Sequence, residues 1–94
     1  MYARVTSFQA KPDTIDAMES RLSGIADKVS ALPGMVSCVT VWNADGAGQV
    51  TALYESEAAA NDASAAIQSV WGGLMDLLSG APEVVTYQSA QKLA

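Results

Sequence analysis

The chain contains no histidine, and that absence removes more chemistry than any other feature. Without imidazole there is no histidine general base, no histidine-activated nucleophile and no zinc site of the usual kind. One cysteine, Cys38, excludes an internal disulfide and a cysteine metal cluster. Only five side chains are cationic, Arg4, Lys11, Arg21, Lys28 and Lys92, against ten carboxylates. They are dispersed, and the net charge is −5. A phosphate backbone or an anionic membrane surface would be repelled, so neither nucleic acid nor membrane is an expected partner. No apolar run approaches the roughly 20 residues of a membrane span. Met1 to Val5 lack the apolar core of a signal peptide, which makes a cytoplasmic location the expectation. No phosphate loop or dinucleotide fingerprint is present, because Gly46-Ala47-Gly48 reads as a turn and not as a strand-to-helix loop. The carboxylates fall mostly on predicted helix surfaces without metal-ligand spacing, so no cofactor is expected.

What remains is a short chain rich in small apolar residues. Its 94 residues make one domain, half of them hydrophobic but only 6% aromatic. Such a domain buries roughly 64% of its unfolded surface, which is a small core.

The most informative stretch runs from Leu32 to Ser56. Pro33-Gly34 stops a helix, Met35 to Trp42 is an apolar run, and Asn43 to Gly48 is a turn containing Asp-Gly. Gln49 to Glu55 follows as a second run. This is a β-hairpin. Before it, Tyr2 to Phe8 reads as a strand and Lys11-Pro12-Asp13 as its end, with Asp13 as the expected helix N-cap. Ile15, Met18, Leu22, Ile25, Val29 and Leu32 then recur at helical spacing. Gly24 inside this helix costs on the order of 1 kcal/mol against alanine. After the hairpin, Ser56 is the expected N-cap of a second helix. Ala63, Ile67, Val70, Leu74 and Leu77 form its stripe, widened by Trp71, Met75 and Leu78. Gly72-Gly73 predicts a kink or a short break. Val84 to Gln88 is a final strand.

The order β-α-β-β-α-β predicts an α+β, ferredoxin-like fold with both helices on one face of an antiparallel sheet. Strand alternation adds a second expectation. Met35, Val39 and Val41 oppose Val36 and Cys38; Thr51 and Leu53 oppose Val50, Ala52 and Tyr54; Val85 and Tyr87 oppose Val84. Both faces are apolar, yet two helices cover one face only. An open apolar face of several hundred Å² is unusual on a soluble monomer. A homodimer packed through the sheet face away from the helices is therefore expected.

Those features resemble a dimeric α+β barrel. Pro33-Gly34-Met35-Val36-Ser37 resembles the start of the second strand in antibiotic-biosynthesis monooxygenase-like proteins. Leu53-Tyr54-Glu55-Ser56-Glu57-Ala58-Ala59 is similar to that family's strand-to-helix junction. The resemblance spans nearly the whole chain. It implies a homodimer with a pocket between helices and sheet in each subunit. It also implies oxygenase chemistry without a cofactor, on a small aromatic or quinonoid compound. Haem-degrading relatives use a histidine on the second helix, an asparagine on the first strand and a tryptophan. Here there is no histidine, Thr6 stands at the first-strand position, and only Trp71 offers a counterpart. Haem degradation is not expected.

The ligand-pocket candidates are Trp71, Tyr54, Tyr2, Arg4 and Thr6, each with a plainer alternative. Trp71 is placed to wall an aromatic ligand, although a tryptophan at helical spacing is more often core. Tyr54 and Tyr2 offer hydroxyls to a phenolic or quinone oxygen, or to backbone and water. Arg4 either binds a substrate anion or pairs with a carboxylate such as Glu55, the ion pair being preferred. Cys38 is expected to be a small buried hydrophobe, since no base is available to activate it. The alternative function is a non-catalytic ligand-binding or stress-associated dimeric module on the same scaffold, because fold alone does not decide function.

Overall fold

A computed structural model describes residues 1–94. Seven elements follow in order: β1 (Tyr2–Gln9), α1 (Ile15–Ser30), β2 (Met35–Trp42), β3 (Ala47–Tyr54), α2 (Glu57–Gly72), a 3-10 turn (Met75–Leu77) and β4 (Glu83–Tyr87). The four strands form one antiparallel sheet in the order β2-β3-β1-β4. This is the ferredoxin-like arrangement that the element order predicts.

Local chemistry explains most boundaries. Ser56 caps α2, its Oγ accepting from the Ala59 backbone N–H at 3.1 Å, and Glu57 lies in the favourable first turn. At α1 the expectation fails by one residue. Thr14, not Asp13, is the N-cap, and it makes no side-chain cap bond. Asp13 has φ 62° and belongs to the preceding turn, a left-handed position that aspartate tolerates better than most residues. The Thr14 hydroxyl instead donates to the Lys11 carbonyl at 2.6 Å. The break at Gly72-Gly73 is present: α2 stops there and the chain tightens into the 3-10 turn.

The hairpin turn is narrower than the sequence implies, because β3 already begins at Ala47. The Gly46 N–H donates to the Asn43 carbonyl at 2.9 Å, and Gly46 itself has φ 88°. Here glycine supplies the left-handed residue that returns the chain to the ladder. Gly48 is required for a different reason. A Cβ there would collide with the Phe8 ring and lie 2.6 Å from the Val41 carbonyl oxygen.

The strand register sorts side chains into cross-strand rows. On the helix side the rows are Met35–Tyr54–Tyr2, Cys38–Ala52–Arg4–Thr86, Thr40–Val50–Thr6–Val84 and Trp42–Gly48–Phe8. On the outer side they are Ser37–Leu53–Ala3–Tyr87, Val39–Thr51–Val5–Val85 and Val41–Gln49–Ser7–Glu83. One residue departs from simple alternation. A bulge between Met35 and Ser37 swings Met35 to the helix side, where it packs against the buried cluster around Tyr54.

Two buried clusters hold the helix side together. One joins Phe8, Ala10, Met18, Leu74, Leu77 and Leu78. The other joins Tyr2, Ala52, Tyr54, Ala60 and Ala63. Small Ala60 and Ala63 let the start of α2 sit close on the sheet. In contrast, α1 buries only Met18. Every β4 residue is exposed, so the helices leave that strand open even on their own side. On the outer side Val39, Val41, Val85 and Tyr87 are all exposed. No helix is long and apolar enough to cross a membrane.

Candidate functional site

The looseness of α1 leaves a cavity of about 430 Å³ between α1, α2 and the sheet. Its size falls in the ~300–1,000 Å³ range of small-molecule sites. Eighteen of its 23 lining residues are hydrophobic, so the wall has few polar features and each one counts. Met18, Leu22, Ile25 and Val29 line it from α1, and Ile67, Val70 and Trp71 from α2. The floor is the helix side of the sheet.

Four of the five candidates meet in this wall: Arg4, Thr6, Tyr54 and Trp71. Tyr2 lies outside it. The register explains the exception: Tyr2 pairs with Tyr54 at the end of the sheet, under Ala60 and Ala63, where α2 sits too close to leave space. Trp71 touches both the core and the cavity. It is half-buried against the first cluster, with its ring centroid 6.0 Å from that of Phe8 at a 55° tilt, and it also faces the cavity.

Arg4 departs from the preferred expectation. No ion pair forms between Arg4 and Glu55; the one salt bridge in the structure joins Arg21 to Asp76. Glu55 follows β3 beyond Tyr54, three positions past the residue that faces Arg4, Ala52. Arg4 instead lies over the Tyr54 ring, its Cζ 5.9 Å from the ring centroid. The two are diagonal neighbours across the β1–β3 pair, which brings long side chains into reach.

Tyr54 is the largest fully buried side chain, and its hydroxyl has no hydrogen-bond partner. A buried hydroxyl left unsatisfied costs about 1–3 kcal/mol. Burial pushes the Tyr54 phenol up; the nearby Arg4 charge pulls it partly back, and Cys38 pushes it up further. The phenol is therefore a neutral donor at physiological pH.

Cys38 corrects the sequence reading. It is exposed, not buried, and lies at the cavity wall on edge strand β2. Desolvation in its apolar surroundings pushes the thiol up, which makes it a poor nucleophile. Met35, also expected on the other face, joins the wall through the β2 bulge. No group of three or more cysteine, aspartate or glutamate side chains is arranged to hold a metal ion.

Taken as a class, the protein is a ferredoxin-like α+β domain with an apolar cavity under its helices. No protein-family model matches the sequence, and no curated protein matches it. Solved structures do match in fold over nearly the whole chain. A protein of unknown function from Nitrosomonas europaea, NE2512, is 20% identical with a TM-score of 0.81, covering 99% of this chain and 93% of its own. A variant of SnoaB, a cofactor-independent oxygenase from Streptomyces nogalater, is 19% identical with a TM-score of 0.79, covering 98% and 95%. A protein named antibiotic biosynthesis monooxygenase is 14% identical with a TM-score of 0.80, covering 97% and 100%. Three further neighbours carry the same words in their names. At these identities the likeness establishes the fold.

Proposed function

We propose that the protein is a cofactor-independent oxygenase acting on a small aromatic or quinonoid compound held between the helices and the sheet. The observation that carries this reading is the cavity, mostly apolar, with the Trp71 ring in its wall and Arg4 and Thr6 among its few polar groups. A flat aromatic body suits the wall, and an oxygen substituent suits its few polar groups. The shared fold of SnoaB, a cofactor-independent oxygenase, adds to it. In such chemistry the substrate's own anion reduces oxygen. Overall, a CH2 group and O2 become a carbonyl and water. The protein supplies orientation and a dry site.

The assembly belongs to the same proposal. A second copy covers the outer sheet face, burying the Val39–Thr51–Val5–Val85 and Ser37–Leu53–Ala3–Tyr87 rows. Those rows carry no charged side chain, and the polar row through Gln49, Ser7 and Glu83 bounds them on one side.

A second reading, a non-catalytic binding module, draws on the wall's titratable groups. Desolvation pushes both the Tyr54 phenol and the Cys38 thiol up, so neither is a ready base at neutral pH. Oxygen uptake separates the two readings. Purified protein supplied with 1-naphthol, whose keto tautomer presents such a CH2 group, should consume oxygen, and Trp71→Ala should lose most of that rate while still folding. Binding without uptake supports the module, and neither binding nor uptake sinks both.

A further inference from the structure

We infer that the cavity has one entrance, a slot between the C-terminal half of α1 and edge strand β2, and that this slot passes flat, uncharged ligands edge-on. The inference rests on the aromatic-ligand reading above and adds the route by which such a ligand arrives. Exposure locates the slot. Of the 23 residues that line the cavity, four are exposed: Ala26, Ser30, Val36 and Cys38. Two belong to α1 and two to β2. The helix packs beside that strand, so the two pairs face each other across one gap. Ala26 and Ser30 are one helical turn apart, which sets them on the same side of α1. On β2 the bulge leaves Val36 without a partner on β3, and both Val36 and Cys38 reach the cavity wall.

The other walls are shut. Between the helices, Ile25, Val29, Val70 and Leu74 line the cavity and also a groove on its outer side. The wall there is one side chain thick, yet none of the four is exposed. Arg21 clamps that seam through Asp76 and the Gly73 carbonyl. Phe8, Leu77 and Leu78 seal one end within the first buried cluster. No β4 residue reaches the wall.

The two jaws of the slot are held unequally. Strand β2 is bonded along its length to β3. Helix α1 buries only Met18, in its first turn. The stretch that carries Ala26 and Ser30 has no buried side chain, so the helix is the jaw that yields. The rim also has a chemistry of its own. It presents a methyl, a hydroxymethyl, an isopropyl and a thiol, with no charge among them. A charged ligand crossing it would leave water and find nothing to compensate that loss, so the slot passes the neutral form.

The test uses N-phenyl-1-naphthylamine, a neutral dye that fluoresces in apolar surroundings, with the full chain in stopped flow. Ala26→Trp fills the slot from the helix side. It should slow both binding and release by about tenfold or more, within the range that variants of one binding surface span. The dissociation constant should move far less, because the slot is a passage and not the seat. Ala66→Trp fills the outer groove between the helices and should leave both rates as they are. Ser30→Trp repeats the block one turn further on, should Ala26→Trp fail to fold. Bound dye should also shield Cys38, the only thiol in the chain, from iodoacetamide. A second dye, 8-anilinonaphthalene-1-sulfonate, has the same rings with a charge added. In 1 M salt, which screens the net charge of the protein beyond about 3 Å, it should enter at least about tenfold more slowly than the neutral dye. Slowing by Ala66→Trp moves the entrance to the helix seam and overturns the inference. So do unchanged rates in all three variants, a thiol that reacts alike with and without dye, equal entry of the sulfonate, or a wild type that takes up no dye. Oxygen uptake from 1-naphthol, followed in parallel, keeps the two proposals apart. Gated dye entry without uptake sinks the oxygenase and keeps the slot; uptake with dye entry indifferent to Ala26→Trp does the reverse.

Discussion

The two faces of the sheet are alike in hydrophobicity and unlike in everything else. The helix side carries Arg4, Thr6, Cys38, Thr40 and Tyr54 among its apolar residues, beneath a roof that does not close on them. The outer side has two neighbouring rows made of valine, alanine, leucine, threonine, serine and tyrosine, with no charge. A surface meant for another protein surface needs shape and dryness, and plain β-branched rows supply both. A surface meant for a small ligand needs a few polar groups placed to orient it. On the proposed assembly, apolar content alone does not separate an interface from a pocket. What separates them is whether unsatisfied polar groups are set into the surface.

The largest effect should come from putting a charge on the plain face. Val85 is 52% exposed in the single chain, so Val85→Glu costs its folding little. In the proposed dimer that glutamate would be buried without a partner. Its burial should raise the dissociation constant by about 100-fold or more. Sedimentation velocity at micromolar concentration should show a dimer for the wild type and a single chain for the variant. A wild type that sediments as one chain would remove the distinction drawn here, because both faces would then simply be open.

A second test asks what each face contributes within one chain, using the monomeric Val85→Glu background. Leu77 is buried against Phe8 and Met18 on the helix side. Leu77→Ala should cost about 2–4 kcal/mol in urea unfolding, from lost transfer energy and a residual cavity. Val41 is 55% exposed on the outer side, and Val41→Ala should change stability by less than about 0.5 kcal/mol. Similar losses at both positions would mean that the outer face is structured by something within the chain.

The architecture was legible because strand alternation, helical spacing and turn chemistry all act locally. Asp-Gly places the hairpin turn, Ser56 the start of α2, and Gly72-Gly73 its end. The misreadings share a cause, which is dependence on a neighbour that spacing does not reveal. Met35 changes sides because a bulge adds one residue between it and Ser37. Cys38 looked buried as a small apolar residue in a strand, but β2 is the edge of the sheet. Arg4 looked bound to a carboxylate because buried charge demands one, and Glu55 was the nearby acid in the hairpin's second run. The register moves Glu55 out of line and puts Tyr54 beneath Arg4 instead. The cavity was legible only through family resemblance, since its volume depends on how far α1 stands from the sheet.

The smallest effect concerns that roof. Arg21 on α1 makes a bidentate pair with Asp76 in the 3-10 turn, at 2.6 and 3.0 Å, and also donates to the Gly73 carbonyl at 2.9 Å. The contact straps a weakly packed helix to the far side of the cavity. Hydrogen bonding from Arg21 holds the Asp76 carboxyl below its ordinary value of 3.8. A carboxylate with a lowered folded-state pKa contributes stability that is complete above its unfolded value. That contribution is lost as pH falls through the folded one. Asp76→Asn should therefore lower Tm slightly at pH 6, and the gap from wild type should close as pH drops below 3.8. Both side chains are exposed, so the gap should also shrink in 1 M salt, where screening reaches within about 3 Å. A gap that ignores both pH and salt would assign the strap's effect to the uncharged bond between Arg21 and Gly73. In that case the roof over the ligand cavity would be held by backbone geometry at the α2 break, not by charge.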